Sequence, residues 1–372
     1  MKVLALGFCL LFVVACSSGG SSTCNSISCL GCCNASGLCE AGTTDLACGT
    51  SAQTCNSCSG ALTCQAGACK SLDGGSTGTG GGTGTGGGTG TGGGTGTGGG
   101  TGADAGLTAE QVMILAARPY TMVVPTGYDG GMVPMVVLLH GYGASGAIQN
   151  NYFGFTALAN SKNFLLAAPD GTLDGTGRRF WNATTACCNF VAPLIDDVKY
   201  LTAILDDAAL KFRVDPKRVY FVGHSNGGFM SHRMACDKSE RIAAIVSLAG
   251  ANNKTLSQCQ PTQKVSVLQA HGTIDGTIGY DGGSNGSFPY PGAGETVQGW
   301  ATKNACTGGL VPITGTFDLD SAVIGSETKR AAYTCAGGAA ELWTMEGSGH
   351  VPNLTAAWGT EVWNFLAAHP KP

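Results

Sequence analysis

Residues 77–100 are four successive copies of TGTGGG, and no large apolar side chain interrupts them. Nothing in such a stretch offsets the entropy lost on ordering a backbone, so it predicts a flexible tether over residues 71–106. The chain before it and the chain after it must therefore fold separately. Of the 61 glycines, the segment Gly74–Gly102 accounts for 19, so the rest of the chain is only moderately glycine-rich. Charged residues make up 12% of the chain and the net charge is −4. With no Lys/Arg cluster anywhere, a nucleic-acid partner is excluded.

The N-terminus carries one basic residue, Lys2, and an apolar stretch from Val3 to Val14. That is too short to span a bilayer and predicts a secretory signal over residues 1–15. Val13-Val14-Ala15-Cys16 resembles a bacterial lipobox, which makes Cys16 a lipidation site and residues 16–23 an anchor segment. Ordinary cleavage near Ala15 is the alternative. Cysteine usage supports export. Of 18 cysteines, ten fall between Cys24 and Cys69 and six lie beyond the tether, even counts that suit two separately oxidised units. The segment 24–70 has too few large apolar residues for a conventional core and predicts a disulfide-stapled module of five bridges. Cys55-x-x-Cys58 has zinc-like spacing, but the segment contains no histidine. It resembles small cysteine-rich modules placed ahead of catalytic domains in myxobacterial surface proteins.

From Leu107 to the end the texture is that of a globular domain, residues 107–372. Continuous apolar runs at Pro134–Leu139, Phe164–Ala168, Arg218–Val222, Ile242–Leu248 and Val265–Ala270 predict strands buried on both faces. Helical periodicity between them, clearest from Asp196 to Lys211, predicts an α/β architecture with a mostly parallel sheet. In such sheets the chemistry sits at the C-terminal ends of the strands.

One of those strands runs directly into Gly223-His224-Ser225-Asn226-Gly227-Gly228, with a helix-like stretch after it. This is G-x-S-x-G in the setting the motif requires, and it marks Ser225 as a nucleophile. An acid and then a histidine should follow in chain order. Asp275 lies in the loop leaving the Val265–Ala270 strand, whereas Asp281, Asp318 and Asp320 are less well placed. Beyond Asp275 only His350 and His369 remain, and His350 follows a last strand, Glu341–Met345. His140, His224, His232 and His271 take structural or orienting readings. The oxyanion donors are expected at the N–H of Asn226 and, from the loop His140-Gly141-Tyr142-Gly143, at the N–H of Tyr142. No cluster offers an open metal geometry, so neither metal nor other cofactor is called for.

HGYG, RFWNATTACC, DDVKYLTAIL, RVDPKRVYFVGHSNGGFMSHRMAC, HGTID and EGSGH, in this order, resemble the α/β-hydrolase esterases grouped as polyhydroxybutyrate depolymerases and feruloyl or acetylxylan esterases. The resemblance covers about residues 118–368. It implies an α/β-hydrolase fold with Ser225, Asp275 and His350 as the triad. It departs at Tyr142, where many relatives carry cysteine. It also implies that Cys306 pairs with Cys335, and that Cys187 and Cys188 pair with Cys236 and Cys259 in an order left open. Trp181 is a candidate for lining the substrate cleft, with a core position as the alternative. The activity implied is that of an exported serine esterase acting on feruloyl or acetyl esters of plant cell-wall polysaccharide. Polyhydroxybutyrate is the alternative polyester substrate, and a surface adhesion lipoprotein with a vestigial hydrolase domain is the alternative from another class. Membrane association is expected only through the lipid anchor.

Overall fold

The computed structural model describes residues 106–188 and 195–372 throughout, and within residues 32–71 only seven short strands. The expected signal peptide, the expected lipid site at Cys16, the expected bridges of the cysteine-rich module and the glycine tether lie outside the described residues. The chain divides into two units, Met1–Gly100 and Thr101–Pro372. In the first, Cys32–Cys33 lies between Cys39–Glu40 and Gln53–Thr54, and two further hairpins pair Thr43–Thr44 with Ala47–Cys48 and Leu62–Gln65 with Ala68–Ser71.

The second unit is built on a nine-stranded sheet. Its strands are β1 (Met122–Val123), β2 (Val133–Leu139), β3 (Leu165–Ala167), β4 (Val214–His224), β5 (Ala244–Leu248), β6 (Ser266–Gly272), β7 (Thr307–Phe317), β8 (Thr328–Thr334) and β9 (Ala340–Met345), in the spatial order β7-β8-β9-β6-β5-β4-β2-β3-β1. The six central strands, β9 to β3, are parallel. Antiparallel strands close both margins, β1 on one side and the β7–β8 hairpin on the other. The predicted apolar runs are five of these six strands, β2 to β6, displaced by a few residues at their ends. The margins carry mixed, half-exposed sequence and gave no such signal.

Both faces of the sheet are covered, which is why its strands read as unbroken apolar runs. Along β2, Met135, Val137 and Leu139 face one core while Val136 and Leu138 face the other. The first face packs on α4 (Asp197–Lys211), α5 (Asn226–Asp237) and α6 (Ala293–Lys303), through Leu201, Ile204, Phe229, Met230, Val297 and Trp300. The second packs on α2 (Gly146–Phe153), α3 (Phe155–Lys162) and α7 (Ala357–Ala368), through Phe153, Phe155, Trp358, Val362 and Phe365. Helix α4 starts where the acidic pair predicts: the Asp196 carboxylate accepts from the Lys199 N–H as N-cap. A further helix, α1 (Ala109–Ala117), begins with a capping box between Thr108 and Gln111 and packs along α4.

Two of the three bridges in this unit differ from expectation. Cys306 is bonded to Cys335, but Cys187 is bonded to its neighbour Cys188, and Cys236 to Cys259. Position decides this. Cys236 lies in the last turn of α5 with its Cα 4.9 Å from that of Cys259. The Cys187–Cys188 pair is held elsewhere, beside the N-terminus of the same helix, where the Asn226 side chain donates to Cys187 Sγ at 3.4 Å.

Candidate active site

β4 ends at His224 and α5 begins at Asn226, so Ser225 alone makes the turn between them. Its backbone sits at φ 53° and ψ −120°, a region that L-residues seldom occupy. The flanking glycines make the turn possible. A Cβ on Gly223 would lie 2.1 Å from Gly227 O, and one on Gly227 would lie 2.2 Å from Leu139 O. The strand, the helix and the neighbouring β2 thus approach more closely than any side chain allows.

Two loops from other strands meet this turn. The loop after β6 carries Asp275, and the loop after β9 carries His350. His350 Nε2 is 2.9 Å from Ser225 Oγ, and His350 Nδ1 is 2.7 Å from Asp275 Oδ2. The other carboxylate oxygen of Asp275 accepts from the N–H groups of Thr277 and Ile278, at 2.8 and 2.9 Å. Burial opposes charge on Asp275, but hydrogen bonds from His271, His350 and the Ile278 N–H outweigh it and hold the carboxyl well below the usual range. An ionised Asp275 fixes the proton of neutral His350 on Nδ1 and leaves Nε2 to accept from the serine hydroxyl. The sequence-predicted Ser225, Asp275 and His350 are therefore brought together in one hydrogen-bonded line at the C-terminal strand ends. His224 has an orienting place: its Nε2 bonds His350 O at 2.8 Å. Asp320 accepts from the Asn353 N–H and braces the chain beyond His350. Among the described residues, no group of three or more His, Cys, Asp or Glu could hold a metal.

Trp181 is not a cleft residue. It is 0% exposed, stacks on Tyr200, and donates its indole N–H to His140 O at 3.0 Å. The Asn226 side chain clamps the Trp181 backbone from both sides, accepting from its N–H at 2.7 Å and donating to its C=O at 2.9 Å. This tryptophan joins the nucleophile turn to the His140–Gly143 loop. The wall is made by residues to which sequence reasoning assigned no place in the cleft wall. A cavity of about 510 Å³ opens on Ser225 and is lined by Tyr142, Cys187, Cys188, Ile278 and Phe288. Phe288 stands on a hairpin, Gly282–Asn285 with Phe288–Pro291, which Asn285 pins to Ala186 O at 2.7 Å. The available signal was the Ser-Asn-Gly-Ser turn between short strands, Ser284–Ser287, and the Cys-Cys pair so near a nucleophile.

Residues 130–287 match the family model described as phospholipase/carboxylesterase. The matched stretch includes the nucleophile elbow and Asp275, on a parallel sheet covered by helices on both faces. The chain carries an α/β-hydrolase domain. Over 251 residues, 64% of this chain and 75% of the relative, the sequence is 26% identical to feruloyl esterase D of Neurospora crassa. It is 28% identical over 193 residues to feruloyl esterase B of Piromyces equi, covering 50% of this chain and 35% of that one. The chain spans half or less of the length of three of the curated relatives it matches. Among solved structures, the hydrolase domain is similar to acetyl xylan esterase from Aspergillus awamori, with a TM-score of 0.47 and 15% identity over 67% of this chain and 93% of that one.

Proposed function

We propose that the hydrolase domain is a serine carboxylic-ester hydrolase that works through an acyl-enzyme. One observation carries the reading: Ser225, His350 and Asp275 form a continuous hydrogen-bonded line at the mouth of a largely apolar cavity. His350 takes the serine proton as Oγ attacks the ester carbonyl, then returns it to the departing alcohol; Asp275 stabilises the imidazolium between these steps. The oxyanion falls between the N–H groups of Asn226 and Tyr142. Asn226 opens α5, where no earlier turn supplies an acceptor. In the other loop, the N–H groups of Gly143 and Ala144 are already bound to Arg179 O and Gly141 O. That supports their predecessor Tyr142 as the second donor.

The substrate class in this reading is an acyl ester of a cell-wall polysaccharide, feruloyl or acetyl. The named feruloyl esterases among the relatives and the apolar lining at Ser225 support it. The protein is read as exported and lipid-anchored at Cys16, on the strength of its N-terminal sequence. Ser225→Ala should lower kcat on p-nitrophenyl acetate by about 10⁴-fold or more with the melting temperature unchanged. Retention of a tenth of the activity would falsify the assignment. Rates on methyl ferulate, acetylated xylan and polyhydroxybutyrate, measured side by side, then decide the acyl group.

A further inference from the structure

On β6, the face that begins with Val267 continues with Gln269 and His271, which are 0% and 1% exposed. Polar groups this deep in a core require partners. Theirs form a line across three elements that ends at Asp275. The Trp300 indole N–H, on α6, donates to His232 Nδ1 on α5 at 3.0 Å. His232 Nε2 lies 3.0 Å from Gln269 Oε1. The Gln269 amide nitrogen lies 2.9 Å from Gly250 O and 3.2 Å from His271 Nδ1. His271 Nε2 lies 2.8 Å from Ile278 O and 3.2 Å from Asp275 Oδ2.

The line has one direction, because groups along it can only give or only accept a proton. An indole nitrogen has no lone pair to offer, so His232 Nδ1 must present one. Burial pushes His232 down to about 4, so it is neutral and carries its single proton on Nε2, facing the Gln269 oxygen. Gly250 O can only accept, and this independently turns the Gln269 amide nitrogen toward it and toward His271 Nδ1. Nδ1 of His271 therefore accepts, and the proton of that ring stands on Nε2. There it meets Ile278 O and the Asp275 carboxylate, which also can only accept. In the other tautomer a lone pair would face both oxygens, and the carboxylate would be driven from His350.

We infer that Trp300, His232 and Gln269 form a positioning relay that fixes His271 as a second N–H donor to Asp275 and through it holds His350 in line with Ser225. The inference rests on the reading of Ser225, His350 and Asp275 as the catalytic triad. These four residues touch no substrate. They act on where the Asp275 carboxylate stands: Oδ2 receives N–H groups from His271 and His350, while Oδ1 receives those of Thr277 and Ile278.

Gln269→Glu tests this with almost no change of shape. It replaces the amide donor by an acceptor, which draws a proton to His271 Nδ1: a neutral ring then turns a lone pair against Asp275, and a doubly protonated ring carries a charge that competes with His350 for the carboxylate. On a small soluble ester kcat should fall about tenfold or more, with KM within about twofold. His271→Gln keeps an N–H toward Asp275 without a tautomer to choose, so it should retain most of kcat. Adding Gln269→Glu to it should cost little more, because the two changes act through one group. Imidazole nitrogen NMR of the unaltered protein gives a readout independent of folding in any variant: His232 and His271 should both carry their proton on Nε2. A proton on Nδ1 of His271 in that spectrum overturns the relay. So does parental kcat in Gln269→Glu alongside an inactive Ser225→Ala, an outcome that leaves the esterase reading standing. An active Ser225→Ala removes the triad reading itself, and the relay's role with it.

Discussion

His140, His224 and His232 are buried, and burial pushes each from about 6.5 down to about 4. Each is committed to a neighbour: His140 Nε2 accepts from the Gly171 N–H at 2.8 Å, His224 bonds His350 O, and His232 sits between Trp300 and Gln269. In the unfolded chain all three return to about 6.5. Above that pH neither state binds the proton and the histidines contribute no pH dependence. Between about 6.5 and 4 the unfolded state binds more protons, so stability falls as pH is lowered, by as much as about 1.4 kcal/mol per pH unit for each histidine. Burial raises Asp197 and Glu341, which work the other way, while the depressed Asp275 adds a further loss only below about 4. Thermal melts at pH 7, 6 and 5 should show a falling melting temperature with no change in structure at 25 °C. His140→Gln, which keeps a side-chain acceptor for Gly171, should flatten that slope by up to one proton. A flat profile in the parent protein that His140→Gln leaves unchanged would mean that these rings are charged in the folded state, contrary to their burial.

The two kinds of bridge in the hydrolase domain have opposite consequences at the level of elements. Cys236–Cys259 and Cys306–Cys335 join positions 23 and 29 residues apart, and each tie restricts the unfolded chain by about 3.5 kcal/mol. Cys187–Cys188 closes no loop and gains nothing by that route, but it forms cavity wall beside Ser225. Changing Cys306 and Cys335 to serine should lower the melting temperature by on the order of 10 °C with kcat intact. The same change at Cys187 and Cys188 should barely move the melting temperature and should raise KM for the acyl ester; equal thermal losses from both pairs would contradict this division. Sequence pattern found the central strands because burial on both faces forces an apolar run, and it found Ser225 because the turn admits so few residues. It found His350 through chain order after Asp275. It could not find the β7–β8 hairpin, whose half-exposed residues satisfy no single period. Nor could it assign Trp181, since an apolar ring suits a core and a cleft equally until Asn226 is seen gripping its backbone. Gln269 and His271 were visible as polar interruptions of a buried strand, yet their partners Trp300 and His232 lie on other elements, and spacing alone does not bring them together.

For the whole molecule, the arrangement of chemistry along the chain gives the clearest expectation. The proposed acid, base, nucleophile and oxyanion donors, and the cavity beside them, all lie between Tyr142 and His350. Both cores that carry them are built from residues 133–366. Between residues 24–70 and those cores lie four TGTGGG copies, whose only side chains are threonines. Residues 24–70 contain no histidine and, as ionisable carboxylates, only Glu40 and Asp45. A complete active site should therefore survive without them. Residues 107–372 expressed alone should keep the full-length kcat and KM on a soluble ester such as p-nitrophenyl acetate. On an insoluble substrate the shortened protein should turn over more slowly if the cysteine-rich segment binds polymer, because a tethered domain works at raised effective concentration. Cys16→Ser in the full chain should move the protein from the membrane fraction to the soluble one and leave kcat/KM untouched. Circular dichroism of the shortened protein separates failure to fold from failure to catalyse. A folded 107–372 with a tenfold lower rate on the soluble ester would show that the first hundred residues complete the site, and the separation read from the glycine tether would then be wrong.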